Sequence, residues 1–176
     1  MWSDRLISDD GEDCLASVDC TDFPIEEPSP FWKGWFSHKL NGSGLRYEIA
    51  VSLKKGDLVW INGPFPCGEN SDVSIFRQSL KYELGENERI EADDGYIGEE
   101  PDFCKTPGGF YSRSEGVDKI RRRLRARHET INMRLKVFGA LSQTYRHGLK
   151  DHAFVVRAVA VLVQLAIKNG EQLFEL

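Results

Sequence analysis

Cysteine is scarce and unpatterned in this chain. Its four thiols, Cys14, Cys20, Cys67 and Cys104, form no C-x-x-C pair. That spacing excludes zinc knuckles and redox dithiols, and with no secretory pattern in view the four read as reduced thiols. A signal peptide needs a basic and then an apolar stretch, whereas Asp and Glu crowd the first thirteen residues here. Long apolar runs are missing too. The one extended stretch, 153–167, is broken by Arg157 and Gln164 and falls short of the roughly 20 residues that span a bilayer, so no membrane partner is expected. Positive charge is not in excess: the net charge of -5 excludes a uniformly basic coat for nucleic acid. Internal repeats and low-complexity segments are also lacking.

What remains is an ordinary globular composition. A chain of 176 residues with 40% hydrophobic content is long enough for one domain with a substantial core. Residues 1–14 read as an acidic lead-in and 15–176 as the domain. The run from Cys14 to Val18 reads as a short buried strand delivering Asp19 at its end, and Pro24 stops regular pairing. The stretch 28–44 is loop-like, rich in Pro, Gly and aromatics, with Trp32, Trp35, Phe36, His38 and Lys39 inside it. From Leu45 to Leu53 the odd positions are apolar, which predicts a half-buried strand. A Lys54–Asp57 turn and a returning strand, 58–62, complete a hairpin. Ser71 is placed to cap a helix running to about Leu84. A short strand over 88–92 again ends on aspartates, Asp93 and Asp94. The segment 97–116, with Pro101, Pro107 and paired glycines, reads as an irregular insertion. A helix over 151–168 has Phe154, Val155, Ala158, Val159, Leu162, Leu165 and Ala166 as its expected apolar face.

Between them lies the most informative stretch, 120–141. Good helix formers dominate it, and no Pro or Gly interrupts it before Gly139. At about 100° per residue, Leu124, Ile131, Leu135 and Phe138 fall on one stripe, the core side. Arg122, Arg125, Glu129 and Lys136 share another. Residues 119–127 hold six Lys or Arg and no acid. The bland reading is a solvated basic face with one intrahelical ion pair, worth a few tenths of a kcal/mol.

The predicted order is strand, hairpin, helix, strand, loop, helix, helix, a mixed α/β unit. Two strands end in Asp, and one helix offers Glu on a stripe away from the core. Three acids from separated elements suit phosphoryl transfer: Mg²⁺ prefers hard oxygen ligands and keeps several waters, and two such ions activate the attacking water and stabilise the leaving oxygen. Cations beside the third acid fit a polyanionic substrate. Neither Asp is placed to have a raised pKa of the kind a sugar hydrolase needs.

The succession V-D-C-T-D-F-P-I, S-H-K-L-N-G-S-G-L-R-Y-E-I, S-D-V-S-I-F, A-D-D-G-Y-I-G and R-A-R-H-E-T-I-N-M-R-L-K resembles the Harbinger-type DDE superfamily endonucleases. These are transposases and genes derived from them. The resemblance covers nearly the whole chain, from about Leu15 to Leu176, and implies a ribonuclease-H-like core: a mixed sheet with a hairpin, flanked by helices. It makes Asp19 the first acid, with Cys20 in place of the family's Gly. Asp93 becomes the second and Glu129 the third, with thirty-five residues between those two. Related bacterial insertion-sequence enzymes carry Y-x2-R-x3-E-x6-K around this Glu. Arg125, Glu129 and Lys136 fit it, and Arg122 stands where the Tyr would be. Mg²⁺ or Mn²⁺ is the implied cofactor, DNA the implied partner and the nucleus the implied location. Relatives carry further sequence ahead of the core, so recognition of a particular DNA end is expected in such a segment or in a separate partner protein, alongside self-association of the core.

Alternatives stay open at three positions. Asp22 competes with Asp19, Asp94 with Asp93, and Asp72 is either a helix-terminal charge or a further metal ligand. Two functions follow: a metal-dependent DNA endonuclease or transposase core, or a domesticated, non-cleaving relative kept for DNA binding or assembly. Arg122, Arg125 and Lys136 are the expected phosphate contacts.

Overall fold

The computed structural model describes residue 3, residues 14–106 and residues 115–173; of 115–121 only the helical backbone is described. Nearly all of the acidic lead-in, and residues 107–114 of the expected insertion, lie outside the described residues.

The first strand, β1 (Cys14–Pro24), runs on past Asp19 instead of ending there. The alternation carries it: Thr21 and Phe23 continue one buried face, Cys20 and Asp22 the other. Its antiparallel neighbour β3 (Gly42–Ser52) pairs with it from Ala16 to Pro24. β3 is buried on both faces. Leu45, Tyr47, Ile49 and Val51 point to one hydrophobic cluster, as the alternation predicts. Glu48, Ala50 and Ser52 are equally hidden on the other side, so β3 is not the half-buried strand expected. Central strands covered on both sides lose the polar alternation by which one-sided strands are recognised. β2 (Phe36–Ser37) and the hairpin strand β4 (Leu58–Pro66) both pair with β3. Gly56 takes the left-handed conformation, φ 72°, that the hairpin turn requires.

On the far side of β1 the pairing turns parallel. β5 (Arg89–Glu91) pairs with β1, and β6 (Cys104–Lys105) with β5. β6 falls inside the segment read as irregular: a two-residue strand between prolines is too short to leave a period. The order β4–β3–β1–β5–β6, antiparallel then parallel, is that of a ribonuclease-H-like sheet, and helices flank it.

One face packs against α2 (Glu115–Val137), α3 (Gly139–Ser142) and α4 (Leu149–Lys168). The other packs against α1 (Asp72–Gln78) and short 3-10 turns. Ser71 caps α1 as expected, its side chain accepting the Ser74 N–H, but the helix ends at Gln78 and a 3-10 turn replaces its last part. In α2 the expected core stripe holds: Leu124, Ile131 and Leu135 are buried. In α4 it does not. Val159 is buried, yet Phe154, Leu162 and Leu165 are 68%, 51% and 49% exposed. The buried face is His152, Val156, Val159, Ala160, Val163 and Ile167. α4 is apolar almost all round, so periodicity cannot set its phase. A polar residue sets it, His152, whose Nδ1 lies 2.8 Å from the Tyr47 hydroxyl in the core.

Candidate active site

β1 and β5 pair in parallel only between Cys14–Ser17 and Arg89–Glu91. β5 then ends while β1 goes on, so the two chains part at their carboxyl ends. This is also where the sheet changes from antiparallel to parallel, the kind of crevice in which open α/β sheets bind ligands. Asp19 stands on β1 just past the last paired residue, and Asp93 two residues past the end of β5. α2 crosses the opening. Asp19, Asp93, Asp94, Arg125, His128 and Glu129 line a single cleft of about 320 Å³, room for several waters and a phosphate, a liquid water occupying about 30 Å³.

Two hydrogen-bonded contacts set α2 against β1. His128 is buried, its Nε2 2.7 Å from Ser17 Oγ. Burial pulls its imidazole down to about 4, so it is neutral at physiological pH. Asn132 Nδ2 lies 3.5 Å from Asp19 Oδ2. Neither residue was anticipated from sequence. The signal was there for His128: it is four residues after Leu124 and three before Ile131, on the core stripe, where a polar side chain needs a partner.

Asp19 accepts the Cys20 N–H through Oδ1 at 2.7 Å. Against the expectation that neither Asp has a raised pKa, burial raises that of Asp19; the Lys39 ammonium opposes that rise, and the Asp93 charge adds to it. Lys39 itself donates to the Cys20 carbonyl at 3.3 Å, next to Asp19. Asp93 Oδ1 accepts the Gly95 N–H at 2.8 Å, capping the turn Asp94–Tyr96. Asp94 also lines the cleft but is exposed. Asp72 approaches from the start of α1. A Cβ built on Gly95 would lie 2.9 Å from Asp93 Oδ1 and 3.1 Å from Asp72 Oδ2, so the two carboxylates converge on one point. Burial raises the pKa of Asp72, Arg46 and Lys39 counter it, and Asp19 and Asp93 add to it.

Asp22 belongs to a different arrangement. It points to the opposite face of β1 from Asp19, 1% exposed. Arg46 grips it through Nε and Nη2 at 2.7 and 2.9 Å, and Ser37 Oγ donates at 2.6 Å. Although burial opposes it, these hydrogen bonds hold the Asp22 carboxyl below the ordinary range. Arg46 Nη1 also reaches Asp72 Oδ1 at 2.9 Å. With both oxygens taken by protein donors, Asp22 is a structural ion-pair partner.

The basic stripe divides along the helix. Arg125 lines the cleft beside Glu129, and Arg122 is exposed on α2 nearby. Lys136, two turns beyond Glu129, is half-buried with Nζ 5.7 Å from the centre of the Phe23 ring. Burial lowers its pKa, with Asp22 and Asp19 acting the other way. Behind Asp19, on the α1 face, lies Glu48, fully buried and paired across the strands with Cys20. Its Oε2 accepts the Trp60 indole N–H at 2.9 Å, while Oε1 has no hydrogen bond. Burial pushes its pKa up to about 7, and the Asp72 charge adds to the rise. The Asn62 side chain acts the other way, easing the charge, and its amide also donates to Ser79 Oγ at 2.5 Å.

Five acids line this cleft, Asp19, Glu91, Asp93, Asp94 and Glu129; Asp19, Asp93 and Glu129 come from three separate elements and offer an all-oxygen donor set suited to a hard divalent cation. Among the described residues, no three His, Cys, Asp or Glu side chains are drawn together closely enough to hold an ion as they stand. Burial above all raises the pKa of Asp19, so its ionised form is disfavoured, and the Asp93 charge adds to the rise although Lys39 opposes it. A divalent cation would counter that rise. No helix among the described residues is long and apolar enough to cross a membrane.

A model of the DDE superfamily endonucleases matches residues 18–164. A probable transposase for insertion sequence element IS702 from Microchaete diplosiphon is 29% identical over 153 residues, covering 81% of this chain and 54% of that relative. The chain therefore spans about half the length of the curated relative it matches.

Proposed function

Because the chain belongs to the DDE superfamily endonucleases, we propose that it cuts phosphodiester bonds of DNA with divalent cations held by Asp19, Asp93 and Glu129. One observation carries this reading: those side chains, from β1, from the end of β5 and from α2, line the same cleft. Asp94 and Glu91 line the same cleft as further donors, and Asp72 approaches Asp93 from the start of α1. When bound, Mg²⁺ or Mn²⁺ would lower the pKa of the attacking water and stabilise the leaving 3′ oxygen.

The chain's own residues supply the rest. Arg125 binds a phosphate beside Glu129, and Arg122 extends that contact along α2. The Lys136 ammonium, in the field of Asp19 and Asp22, completes the positive rim. His128 holds α2 in register on β1 through Ser17, which keeps Glu129 at the cleft. Lys39 balances the acidic cleft before DNA and cation arrive. The motif resemblance supports a Harbinger-type subtype, with a nuclear location, strand transfer as a further activity, and self-association or a separate partner for recognition of particular DNA ends.

The test is nicking of an end-labelled duplex with and without Mg²⁺ or Mn²⁺. Wild type should nick only with the cation, and Asp19→Asn and Glu129→Gln should lose the activity while melting cooperatively. Cleavage undiminished in either variant refutes the assignment. A second reading, a non-cleaving DNA-binding relative, is favoured by the open spacing of the three carboxylates. Wild type that binds duplex yet nicks under no divalent cation would establish it.

A further inference from the structure

The loop between β1 and β3 carries two aromatic side chains that neither hydrophobic cluster uses. Phe31 is 57% exposed and Trp32 44%. Trp35, three residues on, does the packing: it lies against the main core cluster. Trp32 is nonetheless held firmly. Its ring rests on the backbone of Gly34, where a Cβ would fall 2.3 Å from Cη2. The Trp32 and Trp35 rings meet at 90°, with centroids 6.0 Å apart, and the Trp32 carbonyl accepts the Trp35 N–H at 3.0 Å. The turn is clamped in its place, since Gly68 N–H donates to Gly34 O at 2.8 Å. The indole therefore has one face seated on backbone and much of the remainder in water. An aromatic kept for packing alone would bury that surface; a rigid, half-open ring is preorganised to receive another flat group.

The surroundings indicate which flat group. Lys33 and His38 line the same recess, with Glu69 also on its wall. The loop then ends at Lys39, whose ammonium sits on the carbonyl beside Asp19. A backbone held at the cleft by Lys39 thus meets a second cation, Lys33, along the loop for its phosphates and an aromatic surface for a base. Aromatic surfaces beside cationic grooves bind unpaired bases irrespective of sequence. We propose that Trp32, with Phe31 beside it, is a stacking site for an unpaired base of the DNA strand that passes the cleft. This rests on the reading of the cleft as a DNA-cleaving site.

The test is binding without cleavage, in EDTA, measured by fluorescence anisotropy. Two labelled duplexes of equal length are compared, one blunt and one with a short single-stranded extension. Wild type should prefer the extension. Trp32→Ala should weaken binding of the extended duplex by roughly 5- to 150-fold and leave the blunt one unchanged, while Trp32→Phe keeps most of the preference. Gly34→Ala is the second variant: it retains the indole but its Cβ displaces the ring, so it should lose the preference as Trp32→Ala does. Equal affinity of wild type and Trp32→Ala for the extended duplex overturns the proposal. So does an equal loss on both duplexes, which marks a merely structural loop. If wild type shows the preference but never nicks with Mg²⁺ or Mn²⁺, the nuclease reading fails and the stacking site stands.

Discussion

Replacing Glu48 by Gln should change how stability depends on pH more than it changes stability at any one pH. Glu48 is fully buried, and its pKa rises from 4.5 to about 7 in the folded protein. A raised carboxyl pKa means that the fold prefers the protonated form. Its contribution is present in full below pH 4.5 and is lost as pH rises through 7. At about 1.36 kcal/mol per unit, that loss is roughly 3 kcal/mol for a shift of this size. Gln carries no charge at any of these pH values. The difference in unfolding free energy, variant minus wild type, should therefore climb by roughly 3 kcal/mol from about pH 4.5 to about pH 8. An offset rides on top: the new amide N–H₂ replaces an oxygen that has no hydrogen-bond partner, and an unsatisfied buried donor costs about 1–3 kcal/mol. That offset does not vary with pH. His128 and His152, both pulled down to about 4, withdraw stability as pH falls below their ordinary 6.5, but they do so in both proteins and cancel. Urea melts followed by circular dichroism at several pH values across this range give the difference directly. Curves that run parallel from acid to neutral pH would refute the reasoning, because they would mean that Glu48 titrates as it does in the unfolded chain.

Arg46→Met should destabilise the fold by about 3–5 kcal/mol, the usual cost of leaving a buried charge such as Asp22 unpaired; thermal melts check it, and adding Asp22→Asn should recover much of the loss. Arg125→Gln should reduce the slope of log K against log salt by roughly 0.9 on B-DNA if it meets one phosphate. A salt titration on two unrelated duplexes reads this, and an unchanged slope would return Arg125 to plain surface.

The legible parts of the fold were those in which one face differs chemically from the other. β3 announced itself through Leu45, Tyr47, Ile49 and Val51, and α2 set its own phase because Leu124, Ile131 and Leu135 alternate with arginines. Ser71 was readable as a cap because the hydroxyl has a local backbone partner. Asp19, Asp93, Arg125 and Glu129 were legible as candidates because each sits at the end of, or on, a recognisable element. What stayed hidden depends on pairing across long separations. Nothing near Asp22 reveals that Arg46 will claim it, and nothing near Glu48 reveals that both faces of β3 will be covered. The phase of α4 was hidden for the opposite reason: too many of its residues are apolar, and the decision rests on His152 reaching Tyr47.

α2 serves two masters at a fixed angular offset, and this bears on which sequence changes its lineage tolerates. One inserted or deleted residue between Leu124 and Glu129 would turn everything downstream by about 100°. Leu135 would leave the core in the same event that swung Asn132 away from Asp19 and Glu129 away from the cleft. Such a change has no neutral version, because selection on folding and selection on the cleft would reject it together. Length variation should accumulate instead after Phe138, where the helix has already broken before Gly139 and no cleft residue depends on the count.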